Sequence, residues 1–156
     1  NLLDNRNCEV WAYQCLICLQ GGPRRAIEAT AALHQTLRLG LASPPILREL
    51  STGFMASDKL QVAEDLIRRS LTAEGGKGSF TTRKLLGDVL AGQNLAAKAV
   101  DEYKAVLGSM GFESDAEHSK IQLAAAERCV SLLQSLGREE EAKSASAIAL
   151  KLRSTL

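Results

Sequence analysis

Apolar positions along this chain recur at three- and four-residue intervals, interrupted at regular points by short runs of glycine, proline, serine and asparagine. That period predicts amphipathic helices from end to end and leaves no stretch with the alternation of a strand. Gly21-Gly22-Pro23 closes a first helix and sets Pro in the opening turn of the next. Gly40 and Ser43-Pro44-Pro45 part the second helix from the third, and Ser57-Asp58 offers an N-cap for a fourth. Gly75-Gly76-Lys77-Gly78-Ser79 follows as the most flexible connection. Gln93-Asn94, the segment from Gly108 to Ser114, and Gly137 supply the remaining breaks. The expectation is eight helices in four antiparallel pairs, at about residues 5–40, 43–74, 79–110 and 115–155, within one domain spanning 1–156.

The pairs repeat. A small residue opens the second helix of each, at Ala26, Ala63, Ala99 and Ala142, with steps of 37, 36 and 43 residues. The long last step is assigned to the connection from Gly108 to Glu117 and an extended seventh helix. The reason for small residues is steric: each lets the two helices of a pair approach closely, while a large side chain such as Trp11 fills the wider end. Leu86-Gly87 sets a knob beside a hole, and Tyr103, four residues beyond Ala99, lies on the same helical face and closes the seam between repeats.

Pair three carries Leu86, Gly87, Ala99 and Tyr103, and pair one carries Trp11 and Ala26. Pair two keeps Leu50, Phe54 and Ala63, with Ser51 in place of the motif's Gly. Pair four keeps Leu136-Gly137 and Ala142 but no aromatic. Together these residues resemble the tetratricopeptide repeat, whose unit is about 34 residues, more closely than the longer armadillo and HEAT units of about 40 to 47. The resemblance implies an all-α, right-handed α-solenoid in which the first helix of each pair lines a concave groove. By position that groove would present Arg48, Thr52, Met55, Lys84, Asp88, Glu127 and Ser131 to a peptide or helix of another protein. In pair one the corresponding positions are Ala12 and Leu16, which cannot hold a carboxylate, so the clamp of chaperone adaptors is not expected. The opening Asn7-x-Glu9-Val10-Trp11-Ala12-Tyr13, with Cys18-Leu19, resembles the C-terminal arrays of cilia- and flagella-associated proteins. That resemblance implies a cytoplasmic, axonemal structural role, with a docking or dimerisation module of a larger regulatory protein as the alternative.

Composition adds limits. Hydrophobic residues make up 46% of the chain and aromatics only 4%, so Ala and Leu carry the packing. A net charge of +1 with no basic cluster gives no footprint for nucleic acid, and no apolar run reaches the length of about 20 residues that spans a bilayer. The polar start through Asn7 does not read as a signal peptide, and a chain beginning without Met is expected to be a piece of a longer protein.

Cys15 and Cys18 have C-x-x-C spacing but fall mid-helix among apolar neighbours, so with Cys8 and Cys129 they read as small hydrophobes of a reducing compartment rather than metal ligands. The glycine-flanked Lys77 lacks the order of a phosphate-binding loop. Arg24-Arg25 and Arg68-Arg69 read as solvated pairs. His34 and His118 stand in different pairs with no activated nucleophile beside them. No catalytic, cofactor or metal site is expected. Trp11, Ile17 and Leu19 give the first helix apolar groups nearly all round, so a preceding repeat, a partner or a second copy is expected to cover it.

Overall fold

A computed structural model describes residues 7–76, 78–108 and 116–156. The described residues form eight α-helices: α1 (Cys8–Gln20), α2 (Ala26–Arg38), α3 (Pro44–Ala56), α4 (Leu60–Ala73), α5 (Phe80–Gly92), α6 (Ala96–Gly108), α7 (Ala116–Ser135) and α8 (Glu139–Thr155). A 3-10 turn, Pro23–Arg25, precedes α2, and no strand occurs among the described residues. The chain divides into two compact units, residues 1–77 and 78–156. The first holds the pairs α1/α2 and α3/α4, the second α5/α6 and α7/α8. The connection after Gly108, through residue 115, and Lys77 of the glycine-rich segment lie outside the described residues.

Three of the four pairs turn by the same device. A residue in the left-handed conformation follows the first helix: Asp58 (φ 59°), Asn94 (φ 62°) and Gly137 (φ 72°). Asp and Asn tolerate this region because their short polar side chains bond locally, and Gly has no Cβ to clash. The next amide then donates back to a carbonyl of the first helix, Lys59 to Phe54, Leu95 to Leu90 and Arg138 to Leu133, each at 2.9 Å. Five residues beyond each left-handed position comes the small buried residue of the second helix: Ala63, Ala99 and Ala142. Asp58 therefore belongs to the turn, and Lys59 takes the N-cap position of α4 that Ser57-Asp58 had been expected to fill.

Pair one departs from this pattern. Gly22 is the left-handed residue (φ 75°), but the 3-10 turn intervenes before α2 begins. The added residues move the small buried position to Ala29, which is 1% exposed, whereas Ala26 is half-buried. The seam residue of pair one is Ala29, in place of Ala26.

Two buried polar side chains of the first helices bond across their own pairs. The Cys15 thiol donates to the Ala29 carbonyl at 3.2 Å, and the Ser51 hydroxyl donates to the Ala63 carbonyl at 2.8 Å, one turn-equivalent position in successive pairs. The equivalent position in α5 is Gly87, where a Cβ would stand 2.6 Å from Tyr103 Cε1. Tyr103 is fully buried, packs on α5 of its own pair at Gly87, and interacts through its hydroxyl with Arg128 of α7 in the next pair.

Burial and then Cys18 push the Cys15 thiol up to about 12, and burial raises Cys129 as well. Neither supplies a thiolate near neutral pH. Half-exposed Cys8 should therefore react with iodoacetamide at pH 8 long before Cys15, Cys18 or Cys129, as read by peptide mass spectrometry. Equal labelling of all four would contradict this packing.

In the second unit α6 packs on both α5 and α7, and α8 covers α7 through Ala142, Ala145, Ala149 and Leu152. Glu139, Glu140 and Glu141 occupy the first turn of α8, where negative charge suits the helix dipole. Glu141 accepts from Arg138 at 2.7 Å and from Lys104 of α6. These bonds, Arg138's first, lower its pKa from 4.5 to about 2. A depressed carboxylate contributes stability above its unfolded pKa and loses it as pH falls through the folded one. Urea midpoints should therefore fall between about pH 4.5 and 2 in the parent chain, and fall less steeply in Glu141→Gln. An unchanged acid limb would mean this bridge adds nothing.

Candidate interaction surfaces and family

The residues placed by position on the groove face have these surroundings. On α3, Arg48 is ion-paired with Glu74 at the end of α4, 2.7 Å away, and both are mostly buried. Thr52 is exposed and bonds the Arg48 carbonyl at 2.9 Å, and Met55 is half-buried.

On α5, Lys84 pairs with Asp88 at 2.9 Å. Asp88 is 7% exposed and is the hub of a network across three helices. It accepts the Tyr103 hydroxyl at 2.6 Å and faces an Arg128 guanidinium nitrogen at 3.4 Å. Asp88 thus acts as an internal acceptor that fixes Lys84 and Tyr103. On α7, Glu127 is bridged by Arg153 of α8, and Ser131 is exposed one turn further on. Arg48, Thr52 and Met55 belong to the first unit and the other four to the second.

Outward-facing apolar side chains gather in the first pair. Tyr13 (51% exposed) and Ile17 (53%) lie one turn apart on α1, and Ile27 at the start of α2 is 87% exposed. Trp11 is half-buried, and its indole Nε1 is enclosed without a hydrogen-bond partner.

A cleft of about 760 Å³ opens in the same unit, where α2 and α3 both pack on α1 but not on each other. Its walls are Leu16, Leu19, Ala26, Ala29 and Phe54, and its rim includes Glu49, Asp58 and Lys59. Gly53 lies where α3 meets α1, and a Cβ there would meet Leu19 Cδ1 at 2.8 Å. Residue pattern alone does not reveal this cleft, which lies beside the 3-10 turn that precedes α2. The triplet Gly21-Gly22-Pro23 is the signal that could have raised it.

Among the described residues, no group of three or more His, Cys, Asp and Glu is placed to hold a metal ion, and no helix is long and apolar enough to cross a membrane. His118, at the start of α7, meets Phe80 edge-to-face with ring centres 5.4 Å apart; His34 is exposed.

Two solved structures of MamA proteins superpose on nearly the whole chain. One covers 97% of it with a TM-score of 0.71 at 18% identity, the other 96% with 0.69 at 20% identity, and each match takes in 75% of the MamA chain. They show the fold class, a tetratricopeptide-like α-solenoid of helix pairs. Over 52 residues the chain is 42% identical to cilia- and flagella-associated protein 70 of Macaca fascicularis and of Homo sapiens. That stretch is 33% of this chain and only 5% and 4% of those far longer relatives. The family model described as the cilia and flagella-associated protein 70 C-terminal domain matches residues 1–126. With its helix pairs and this match over most of its length, the chain belongs to the family of cilia and flagella-associated protein 70 C-terminal domains.

Proposed function

We propose that this chain is a non-catalytic protein-interaction scaffold within a ciliary or flagellar axonemal assembly. The observation that carries the reading is the family match over residues 1–126, on a fold whose chemistry is spent on packing helices together. Ser51 and Tyr103 spend their hydroxyls on the Ala63 carbonyl and on Asp88, and burial keeps Cys15 and Cys129 as neutral thiols, which is the economy of a structural module. Partners are other proteins, met on the first-helix faces through Arg48, Thr52 and Met55 in one unit and Lys84, Glu127 and Ser131 in the other. Asp88 contributes by holding Lys84.

The test is to express the tagged chain in ciliated cells and extract with detergent. Retention on the axoneme supports the reading; complete release with the soluble fraction sinks it. For the contact face, Arg48→Gln with Lys84→Gln should weaken axonemal retention more than Arg68→Gln with Arg69→Gln. Equal losses would misplace the face.

A second reading, self-association, is favoured by exposed Tyr13 and Ile17 on α1. Light scattering across a concentration range decides it: a mass that stays monomeric at high concentration removes it.

A further inference from the structure

We propose that the cleft between α2 and α3 is a docking site for a short helical segment of another protein. That segment seats an apolar side chain against half-buried Leu16, Leu19 and Ala26 and sets a Lys or Arg beside Glu49 and Asp58. This inference rests on the scaffold reading and names the chemistry the partner must carry.

The cleft has a structural cause. In the second unit the second helix of one pair, α6, packs on the first helix of the next, α7. In the first unit the corresponding helices α2 and α3 do not pack on each other, and a 3-10 turn after Gly22 precedes α2 there. A seam closed by protein in one unit is thus open in the other. Half-buried Leu16 and Leu19 of α1 and Ala26 of α2 give it an accessible apolar wall, over fully buried Ala29 and Phe54. At about 760 Å³ it falls in the range of ligand-binding clefts, with room for several side chains. A mostly apolar lining favours side chains over a chain of ordered waters.

The rim selects the sign of the partner's charge. Glu49 and Asp58 line the cleft, are exposed, and take part in no ion pair among the described residues. Elsewhere carboxylates of this chain are commonly bridged: Glu28, Glu64, Glu74, Glu102, Glu127 and Glu141 each have an Arg partner. Lys59 is the one cation lining the cleft, which leaves the rim with a net negative charge. A segment pairing an apolar anchor with a Lys or Arg satisfies both walls and rim, whereas an acidic segment meets like charge.

The experiment pans a phage-displayed random 12-residue library on the whole chain, with counter-selection on Ala26→Phe, which fills the cleft from a half-exposed position. Enriched peptides are expected to place a large apolar residue within one helical turn of Lys or Arg. A fluorescein-labelled peptide of that consensus should bind the parent chain and lose at least tenfold in affinity to Glu49→Gln/Asp58→Asn. Both of those side chains are exposed, and Asn keeps the left-handed backbone at position 58, so this variant stays folded; circular dichroism checks both variants. Acidic consensus peptides, peptides that bind all three proteins alike, or no peptide that distinguishes Ala26→Phe would each overturn the proposal. Such a failure with the chain still retained on axonemes leaves the scaffold reading standing. Specific peptide binding by a chain that is absent from axonemes does the reverse.

Discussion

Gly87→Leu is expected to lower the melting temperature by about 2–12 °C, from an overpacking cost on the order of 1–3 kcal/mol. The Cβ alone would stand 2.6 Å from Tyr103 Cε1 and 2.9 Å from both Cδ1 and Cζ. The ring has no room to retreat, since it is fully buried and its hydroxyl is anchored on Asp88. Either the ring leaves its rotamer or α5 and α6 separate, and both forfeit packing.

Gly53→Ala is the informative control. Its new methyl also meets an atom too closely, at 2.8 Å, but that atom is Leu19 Cδ1, the end of a half-buried side chain that can rotate away beside the cleft. The gain in helix propensity of roughly 1 kcal/mol should then leave Gly53→Ala near neutral. Combining Gly87→Ala with Tyr103→Leu should recover part of the single-mutant loss, a coupling that a double-mutant cycle measures. Equal melting of parent and Gly87→Leu would remove the seam assignment for pair three.

Asp88→Ala is the second large effect, at about 1–3 kcal/mol. Its magnitude follows from asymmetry among the partners. The Lys84 and Arg128 side chains are 23% and 57% exposed, so water can take over much of what they lose. The Tyr103 hydroxyl is buried and would be left without its acceptor. Tyr103→Phe should cost less, about 1 kcal/mol, because Asp88 keeps its two cations.

The two substitutions separate further with pH. Burial first, and then the Asp88 carboxylate, push the Tyr103 phenol above its ordinary 10.0. In the unfolded chain this group ionises near pH 10 while the folded one stays neutral, so the parent loses stability as pH rises past 10. Tyr103→Phe should lose less over the same interval in urea titrations. Parallel alkaline limbs would show that Tyr103 is not the group responsible.

The helix count, the pairing and the identity of Gly87 as a hole were legible because they depend on local period and on residue size. Leu86, Ala99 and Tyr103 lie within one pair joined by a short break, Gln93 to Leu95, where counting along the chain maps directly onto depth in the seam. Counting failed at Ala26, because Pro23–Arg25 forms a tighter helical turn whose rise per residue differs and whose residues add no seam position. It failed at Ser57-Asp58 because an Asp that looks like a cap can equally serve as a left-handed turn residue.

Asp88 shows a different limit. A carboxylate on a first helix reads as a groove residue, and only the approach of Tyr103 and Arg128 from other helices makes it an internal acceptor. The cleft was illegible for the same reason: it is a missing contact between two helices, and no residue carries a mark for a neighbour that fails to arrive.

That α2 packs on α1 alone, while α6 is held between α5 and α7, gives the two units unequal ways of yielding. Freeing α6 requires two interfaces to part, while freeing α2 requires one. Amides of α2 should therefore open to hydrogen exchange before those of α6 beside the Tyr103 seam.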